Sequence, residues 1–595
     1  MKSNYIKFIN TILLSIQNAL SPKQFILFSS VLIGIASSLA VIVLKYFASL
    51  IFTTASTIHY NSHSKYLLIV LPVIGILLTV LYTHKVLRNR FDKGTSKILY
   101  AIVRRSSNVP KYQMHAQIVT SALTVGMGGS AGLESPIVIT GAALGSNYSR
   151  AFNLDYKTKT LLLSCGVAAG ISAAFNAPIA GVLFVTEVLL VDITISAFIP
   201  LLIAAATGAL ISTIILDASI LLSFKQQEHF HYQNVPFYIL LGILCGLTTV
   251  YYSRVSAQIE SYFEHHKVNR YIKALVGSFI LVGLIYLFPS LFGEGYESIK
   301  TLSLPDPERL LEHTLFDDLQ DKQWALLVFV AAAMLLKVFA TGITLGSGGN
   351  GGSFAPSLFM GAYLGFVFSR LMNVFNFAHP LPVSNFTIVG MAGVLSGIFH
   401  APLTAIFLIA EITGGYDLMV PLIIVSSLSF AISKGLDQHS MEIKLLAKMG
   451  HIVTGDKDKD ILSNLDISTF IEKDFKSVRP ENTLGDLAEL ISLSDKTVFP
   501  VLSDTQQLLG IVYLEQVRKI IFDKDHYDAM YVKELMTPVA VIISPTDKMD
   551  LIMQKFDQSK KWYLPVVEND KYIGFISKSN LLDTYRTQLI TSTID

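Results

Sequence analysis

Long apolar stretches separated by short polar loops run through most of the chain. The clearest of them cover residues 25–50, 66–82, 197–215, 235–251, 274–291 and 325–339. Apolar stretches of this kind can cross the roughly 30 Å hydrocarbon layer of a bilayer as helices. The pattern therefore predicts an all-α polytopic membrane body.

Other apolar stretches are interrupted by glycine and proline. They cover residues 116–144, 161–191, 346–368 and 386–412. Broken helices are tolerated at membrane depth only where protein or a water-filled cavity surrounds them. In transporters such breaks commonly mark an ion or substrate site.

Composition agrees with a membrane protein that carries a soluble tail. Hydrophobic residues make up 52% of the chain and charged residues only 15%, against roughly 25% charged in soluble proteins. Charge concentrates in residues 451–595, which hold 17 basic and 23 acidic groups. The overall net charge of +2 gives no reason to expect a nucleic-acid partner. Both cysteines, Cys165 and Cys245, lie in apolar runs, which favours packing over a disulfide or metal site.

The membrane body contains an internal repeat. The segment FNAPIAGVLFVTE at residues 175–187 matches FHAPLTAIFLIAE at residues 399–411, and GLESP at 132–136 matches GSFAP at 352–356. Order and spacing both recur, which fits a duplicated transporter fold with its site at the repeat interface. Convergent small-residue helix packing is the alternative.

Glycine runs precede two predicted helix starts, at residues 128–136 and 346–356. Glycines let backbone N–H groups turn toward one point, and helix starts add the positive end of a dipole, so two converging loops make an anion site without a fixed cation. Glu134 lies in the first loop. A carboxylate in a membrane segment is a functional candidate, and a helix N-terminal acid that only stabilises the first turn is the alternative.

These motifs resemble the CLC family of chloride channels and chloride/proton antiporters. GLESP resembles the family's gating-glutamate motif, with Ser135 in place of a glycine, and GSFAP resembles its second helix-start motif. The resemblance implies an inverted-repeat body, a homodimer in the lipid bilayer, and a separate chloride pathway in each subunit. It makes Glu134 the external gate and the only residue assigned to a proton pathway. It places the anion-binding groups at Gly132, Leu133, Ser353 and Phe354.

The chain departs from the family pattern at the remaining anion-binding positions. The loop that supplies a binding serine reads DKGTS at residues 92–96, so Lys93 stands at the serine position and Thr95 or Ser96 could supply the hydroxyl. Lys93 could equally be one more basic residue of a cytoplasmic loop. Met441 or Glu442 stands where the family has a pore tyrosine.

The inner proton glutamate of the family's antiporters is also missing. Val188 occupies that position, after Glu187, and valine cannot relay a proton. This favours a chloride channel over a coupled antiporter, which remains the alternative. Glu187 and Glu411 are equivalent in the repeat, and we expect paired structural roles for them.

The tail contains its own repeat. FPV at residues 499–501 followed by LLGIV at 508–512 parallels LPV at 564–566 followed by YIGFI at 572–576. Each copy predicts paired strands and a helix, and the pair resembles two CBS domains, at 470–522 and 531–585. The positions used for adenine nucleotides hold Tyr513 and Gln516 in one copy and Ser577 and Asn580 in the other. We expect no required cofactor and weak nucleotide binding at Ser577 and Asn580; a dimerisation role stays open.

Charge also predicts topology. The loop at residues 84–111 is rich in lysine and arginine, so it should face the cytoplasm. The expected organisation is an amphipathic cytoplasmic segment at 1–24, a body at 25–450 with halves at about 25–222 and 235–450, a linker at 451–469, and both termini in the cytoplasm.

Two other function classes stay open at this stage. One is a membrane sensor that does not transport and reads nucleotides with its tail. The other is an intramembrane metalloenzyme, suggested by EHFH at residues 228–231 and EHH at 264–266. These histidines lack typical zinc spacing, so we expect solvated loop residues, no metal site and no enzyme activity.

Overall fold

The computed structural model describes residues 19–592 except 63–65, 89, 92, 190–194, 217–228, 267, 305, 313, 320–321, 376–379 and 449–465. The chain forms two compact units, residues 1–451 and 452–593. Most of the predicted N-terminal segment, most of the linker, and Glu228 of the EHFH motif lie outside the described residues.

The first half of the body contains eight described helices. They are α1 (Pro22–Ser62), α2 (Tyr66–Lys85), α3 (Ser96–Arg104), α4 (Gln113–Gly126), α5 (Glu134–Ala151), α6 (Tyr156–Phe175), α7 (Pro178–Glu187) and α8 (Ile195–Leu216).

The second half repeats this pattern of long and short helices. Its described helices are α9 (Val235–His265), α10 (Arg270–Leu287), α11 (Tyr296–Leu302), α12 (Gln323–Gly346), α13 (Phe354–Val374), α14 (Val383–Phe399), α15 (Pro402–Ile412), α16 (Met419–Leu436) and α17 (Met441–Lys448). Among the described residues of the whole chain, eight helices are long and apolar enough to cross a membrane.

All four interrupted stretches are broken where their glycines and prolines predict. Asn176 caps the end of α6 and His400 caps the end of α14, and both residues are in the left-handed region, with φ of 55° and 54°. Pro178 and Pro402 then open α7 and α15, because proline fits the first helical turn, where its missing N–H is not needed. Equivalent positions in the two halves therefore have the same local structure, a left-handed cap residue followed by a proline that opens the next helix.

Glycines set how closely the central helices cross. A Cβ on Gly145 of α5 would lie 2.1 Å from the Leu162 carbonyl oxygen of α6. In the second half, a Cβ on Gly365 of α13 would lie 2.0 Å from the Phe386 carbonyl oxygen of α14. Only glycine allows such an approach, so both buried helix pairs depend on the absence of a side chain.

The tail contains two similar α/β repeats. The first contains α18 (Leu484–Ser492), β2 (Val498–Leu502), β3 (Leu508–Tyr513) and α19 (Leu514–Val517). The second contains α20 (Val532–Leu535), α21 (Met549–Ser559), β4 (Tyr563–Glu568), β5 (Lys571–Ser577) and α22 (Lys578–Ser592). Strand β1 (Ile471–Glu472) precedes the first repeat and pairs antiparallel with β5 of the second.

The two tail hairpins share one register. Val501 pairs with Gly510 in the antiparallel β2–β3 pair, and Val566 pairs with Gly574 in β4–β5, each followed by a register shift. The strands are apolar because they form the core of each repeat, around Phe499 and Ile576. The predicted strands are therefore present in both copies.

A capping box begins α18. The Thr483 hydroxyl accepts from the Asp486 N–H, and the Asp486 carboxylate accepts from the Thr483 N–H. This reciprocal pairing satisfies two backbone N–H groups at the helix start, those of Thr483 and Asp486. The hydrogen bond from the Thr483 backbone also lowers the pKa of Asp486.

Candidate anion site and its gate

The two glycine loops meet at the centre of the body. The Gly132 N–H donates to the Gly352 carbonyl at 2.9 Å, and the Gly352 N–H donates to the Gly132 carbonyl at 2.8 Å. This antiparallel bridge holds the starts of α5 and α13 side by side. Two positive helix ends therefore converge on one small region, as the repeat predicts.

Glu134, the first residue of α5, lies in that region and is 4% exposed. Its Oε1 accepts a hydrogen bond from the Tyr296 hydroxyl at 2.7 Å, and its Oε2 lies 3.4 Å from the donating N–H of Ala355 in the first turn of α13. The carboxylate thus occupies a place where a helix start attracts an anion.

A second carboxylate, one buried lysine and one partly buried lysine surround Glu134. The Leu133 N–H donates to Glu294 Oε1 at 3.2 Å. The Lys337 ammonium is fully buried and donates to the Ser130 hydroxyl at 2.9 Å and to the Gly293 carbonyl at 3.1 Å. Lys45 donates to the Ala174 carbonyl and interacts electrostatically with both Glu134 and Glu294. These cations offset the carboxylates, because buried charges must be paired.

The predicted N–H donors fall into two groups. Those of Gly132 and Leu133 are bonded to Gly352 and Glu294, so they are not open to an anion in this conformation. Those of Ser353 and Phe354 have no protein acceptor among the described residues. The open donors of the site are therefore at the start of α13.

The other predicted binding residues lie around a neighbouring cavity. The Lys93 ammonium donates to the Gly348 and Gly349 carbonyls at 2.9 and 2.8 Å, which ties its loop to the second glycine run. The Thr95 hydroxyl lies 3.2 Å from the Ser135 hydroxyl. The sequence could not choose between Thr95 and Ser96, and the structure brings both close to the glycine loops.

The positions that replace the pore tyrosine lie at the same cavity. Met441 and Glu442 both line it. The Ser96 N–H donates to Glu442 Oε2 at 2.8 Å. Glu442 is therefore a hydrogen-bond acceptor at the start of α3, whereas the family position it replaces is a hydroxyl donor.

Glu187 and Glu411 each cap the start of a helix in the opposite half of the body. Glu187 accepts from the N–H groups of Leu403 and Thr404 at 3.0 and 2.7 Å, at the start of α15. Glu411 accepts from the N–H groups of Ile179 and Ala180 at 3.1 and 3.0 Å, at the start of α7. Each carboxylate satisfies helix-start donors of the opposite half, which agrees with the paired structural role that we expected.

Val188, at the inner proton position, ends α7 and is 4% exposed. Its side chain has no titratable group, and Glu187 beside it is committed to α15. Val188 itself therefore offers no proton carrier at the inner position.

The tail has a cleft between its two repeats, with a volume of about 1090 Å³. Tyr513, Gln516 and Ser577 line it, whereas Asn580 does not. Gln516 already accepts from the Thr537 hydroxyl at 2.9 Å, and the Lys561 ammonium stands 4.2 Å from the Tyr513 ring centroid. The predicted nucleotide positions are thus only partly brought together.

Sequence reasoning missed the groups around Glu134, namely Tyr296, Glu294, Lys45 and Lys337. They come from separate elements and meet only in the fold. One signal was available, because Lys45 and Lys337 are lysines inside membrane-spanning helices, and such residues mark functional positions.

Comparison with protein families identifies both parts of the chain. A family described as voltage gated chloride channel matches residues 75–434, and the CBS domain family matches residues 466–523 and 532–586. Among curated relatives, a putative chloride channel protein ClcB-like of Ralstonia nicotianae is 28% identical over 385 residues, covering 64% of this chain and 85% of the relative. A voltage-gated ClC-type chloride channel ClcB of Escherichia coli is 29% identical over 332 residues, covering 56% and 75%.

Solved structures share the fold. A slow cyanobacterial Cl⁻/H⁺ antiporter superposes with a TM-score of 0.63 at 20% identity, covering 72% of this chain and 98% of the antiporter. A eukaryotic CLC transporter superposes with a TM-score of 0.61 at 18% identity and covers 94% of this chain and 98% of its own. The chain therefore belongs to the CLC family of voltage gated chloride channels, as an all-α membrane body with an internal repeat followed by two α/β CBS domains.

Proposed function

We propose that this member of the family carries chloride passively through the membrane and is gated by Glu134. The observation that carries the proposal is the position of the Glu134 carboxylate, at the start of α13 and beside the paired glycine loops. An ionised carboxylate there competes with chloride for the same electropositive place. Protonation removes the competing charge and opens the pathway.

Val188 supports passive flux over proton-coupled exchange. Continuous proton transfer through the body requires a titratable group or water at each step, and Val188 supplies no such group. Glu134 is then the gate without being one end of a proton relay.

Topology and assembly belong to the same proposal. The basic loop at residues 84–111 supports a cytoplasmic placement of that side and of both termini, with Glu134 reached from outside. Large apolar side chains such as Ile199, Leu403 and Val420 are exposed on α8, α15 and α16, and in the membrane they would pack against lipid or a second subunit of a homodimer.

Chloride efflux from proteoliposomes tests the proposal against a sensor that does not transport. Efflux should require only a potassium ionophore to balance charge, because chloride leaves without a coupled ion. Absence of efflux from a correctly folded, reconstituted protein would remove the proposal and favour the sensor.

The tail should regulate the body without setting its selectivity. Deleting residues 455–595 is expected to change gating or dimer stability and to leave the chloride-to-bromide flux ratio unchanged, because the anion donors lie in the body.

Calorimetry should detect weak or no ATP binding by the full-length protein, since Asn580 lies outside the cleft. Submicromolar ATP binding, or altered selectivity after deletion, would contradict this.

A further inference from the structure

A lysine on the first membrane helix faces the interior of the body. Lys45 lies on the same side of α1 as Val41, Leu44 and Ala48, which are buried, whereas Tyr46 on the other side is exposed. Burying an ammonium group costs free energy unless opposite charges or hydrogen bonds balance it. An ionisable residue turned inward within a membrane segment is therefore a candidate for function.

The Lys45 ammonium stands at the break between α6 and α7. It donates to the Ala174 carbonyl in the last turn of α6, where a helix leaves carbonyl groups without partners and carries the negative end of its dipole. This is the one hydrogen bond of the ammonium within the described part of the chain, although an ammonium can donate three. Two of its donors are therefore open to water or to an anion.

That break lies next to the anion site. Phe175 ends α6, and its ring packs against the ring of Phe354 at the start of α13, with 5.5 Å between the ring centroids. The Phe354 N–H is one of the open donors of the site. Lys45 and Glu134, both described residues, share no hydrogen bond, yet their charges interact. The positive charge thus lies near the anion site without filling it.

Three more titratable groups surround this pair. Tyr296 on α11 donates to Glu134, and Glu294 accepts from the N–H of the residue that precedes the gate. Lys337 on α12 interacts electrostatically with Glu294, whereas Lys45 interacts with both carboxylates. Of these two lysines, Lys45 is therefore the one whose charge acts on the gate.

We propose that Lys45 is the fixed positive charge of the chloride site, which balances the Glu134 carboxylate in the closed gate and a chloride ion once that carboxylate is protonated. The inference rests on the proposed chloride pathway and adds a cation to it, where the glycine loops alone predicted an anion site without one. Because the same charge faces either anion, its removal weakens both by a similar factor.

Neutralising Lys45 should open the gate at higher pH. Lys45→Gln can still donate to the Ala174 carbonyl, but it removes the charge that favours ionised Glu134, so the midpoint of chloride efflux should move up by about one pH unit. Efflux is measured from proteoliposomes at equal pH on both sides, so the orientation of the protein does not affect the result. Lys45→Arg keeps the charge and should keep the wild-type midpoint.

Lys159→Gln is the matched control for this substitution. Lys159 lies in the first turn of α6, at the opposite end from Ala174, and donates to Asn108 Oδ1 at 3.1 Å. Its replacement removes a half-buried lysine and leaves the charges beside Glu134 unchanged. Its efflux midpoint should therefore equal that of wild type.

Chloride-dependent thermal stability gives a second readout, in a background where the gate is already neutral. Glu134→Gln/Lys45→Gln should need about tenfold more chloride for the same stabilisation than Glu134→Gln, because a ligand stabilises the folded state according to its affinity and one pH unit corresponds to a tenfold change in binding. The double variant removes one charge of each sign, so the net charge around the gate stays as in wild type. It therefore decides the case if Lys45→Gln alone does not fold.

The outcomes separate a cation of the chloride site from a lysine that only caps α6. Equal midpoints for Lys45→Gln and Lys159→Gln, or an unchanged chloride requirement in the double variant, would overturn the proposed role. A midpoint shift in Lys45→Arg as large as that in Lys45→Gln would overturn it too, because charge would then not be the cause. Failure of both wild type and Glu134→Gln to move chloride would overturn the proposed function instead.

Discussion

Glu134→Gln is expected to raise chloride efflux at neutral pH at least about tenfold, which corresponds to about 1.4 kcal/mol, and to remove most of its pH dependence. Glutamine keeps the shape of the side chain but not the charge that competes with chloride at the start of α13. Glu134→Ala should also conduct, because it leaves the place empty. Efflux from proteoliposomes across a pH series measures both variants against wild type.

Two further variants show whether the effect belongs to the gate. Tyr296→Phe removes the hydroxyl that holds Glu134 at 2.7 Å but keeps the charge, so it should raise efflux less than Glu134→Gln does. Glu297→Gln changes an exposed carboxylate paired with Lys300, and it should behave as wild type. If Glu134→Gln keeps the wild-type pH dependence, Glu134 only stabilises the first turn of α5.

Gly145→Ala and Gly365→Ala should each destabilise the membrane body by about 3 kcal/mol and abolish efflux. The added Cβ would meet a backbone carbonyl oxygen at 2.1 or 2.0 Å, and a backbone atom in a packed helix pair cannot move aside cheaply. Thermal unfolding in detergent and the yield of monodisperse protein measure the loss.

Gly283→Ala is the matched control for the helix crossings. Nothing lies within 4 Å of a Cβ at Gly283, and alanine favours a helix over glycine by roughly 0.5–1 kcal/mol. Its stability should equal or exceed that of wild type. If Gly145→Ala melts at the same temperature as Gly283→Ala, the close crossing of α5 and α6 does not limit stability.

The sequence was most informative where one local pattern decides the backbone. Glycine runs followed by Pro136 and Pro356 predicted both helix starts that meet at the anion site, and Pro178 and Pro402 predicted two more. Short apolar runs around Gly510 and Gly574, repeated with the same spacing, predicted the hairpins of the tail. In each case the residues that determine the backbone conformation are close neighbours in the sequence.

It was least informative where distant segments meet. Tyr296 reaches Glu134 across 162 positions, and Glu442 reaches Ser96 across 346. No local sequence period encodes such a pairing. The sequence could therefore place Met441 or Glu442 at the family's pore-tyrosine position, but it could not show that Glu442 accepts a hydrogen bond from the Ser96 N–H at the start of α3. Glu187 and Glu411 show the intermediate case, because the repeat predicted their equivalence and only the fold gave their partners.

Simultaneous recording of chloride and proton movement in one proteoliposome preparation tests passive chloride transport most directly. An imposed chloride gradient should drive chloride through the wild-type protein and should drive no protons against their own gradient, because Val188 supplies no titratable group at the inner position. Sustained uphill proton movement that disappears in Glu134→Ala would contradict passive transport and make the protein a chloride/proton antiporter.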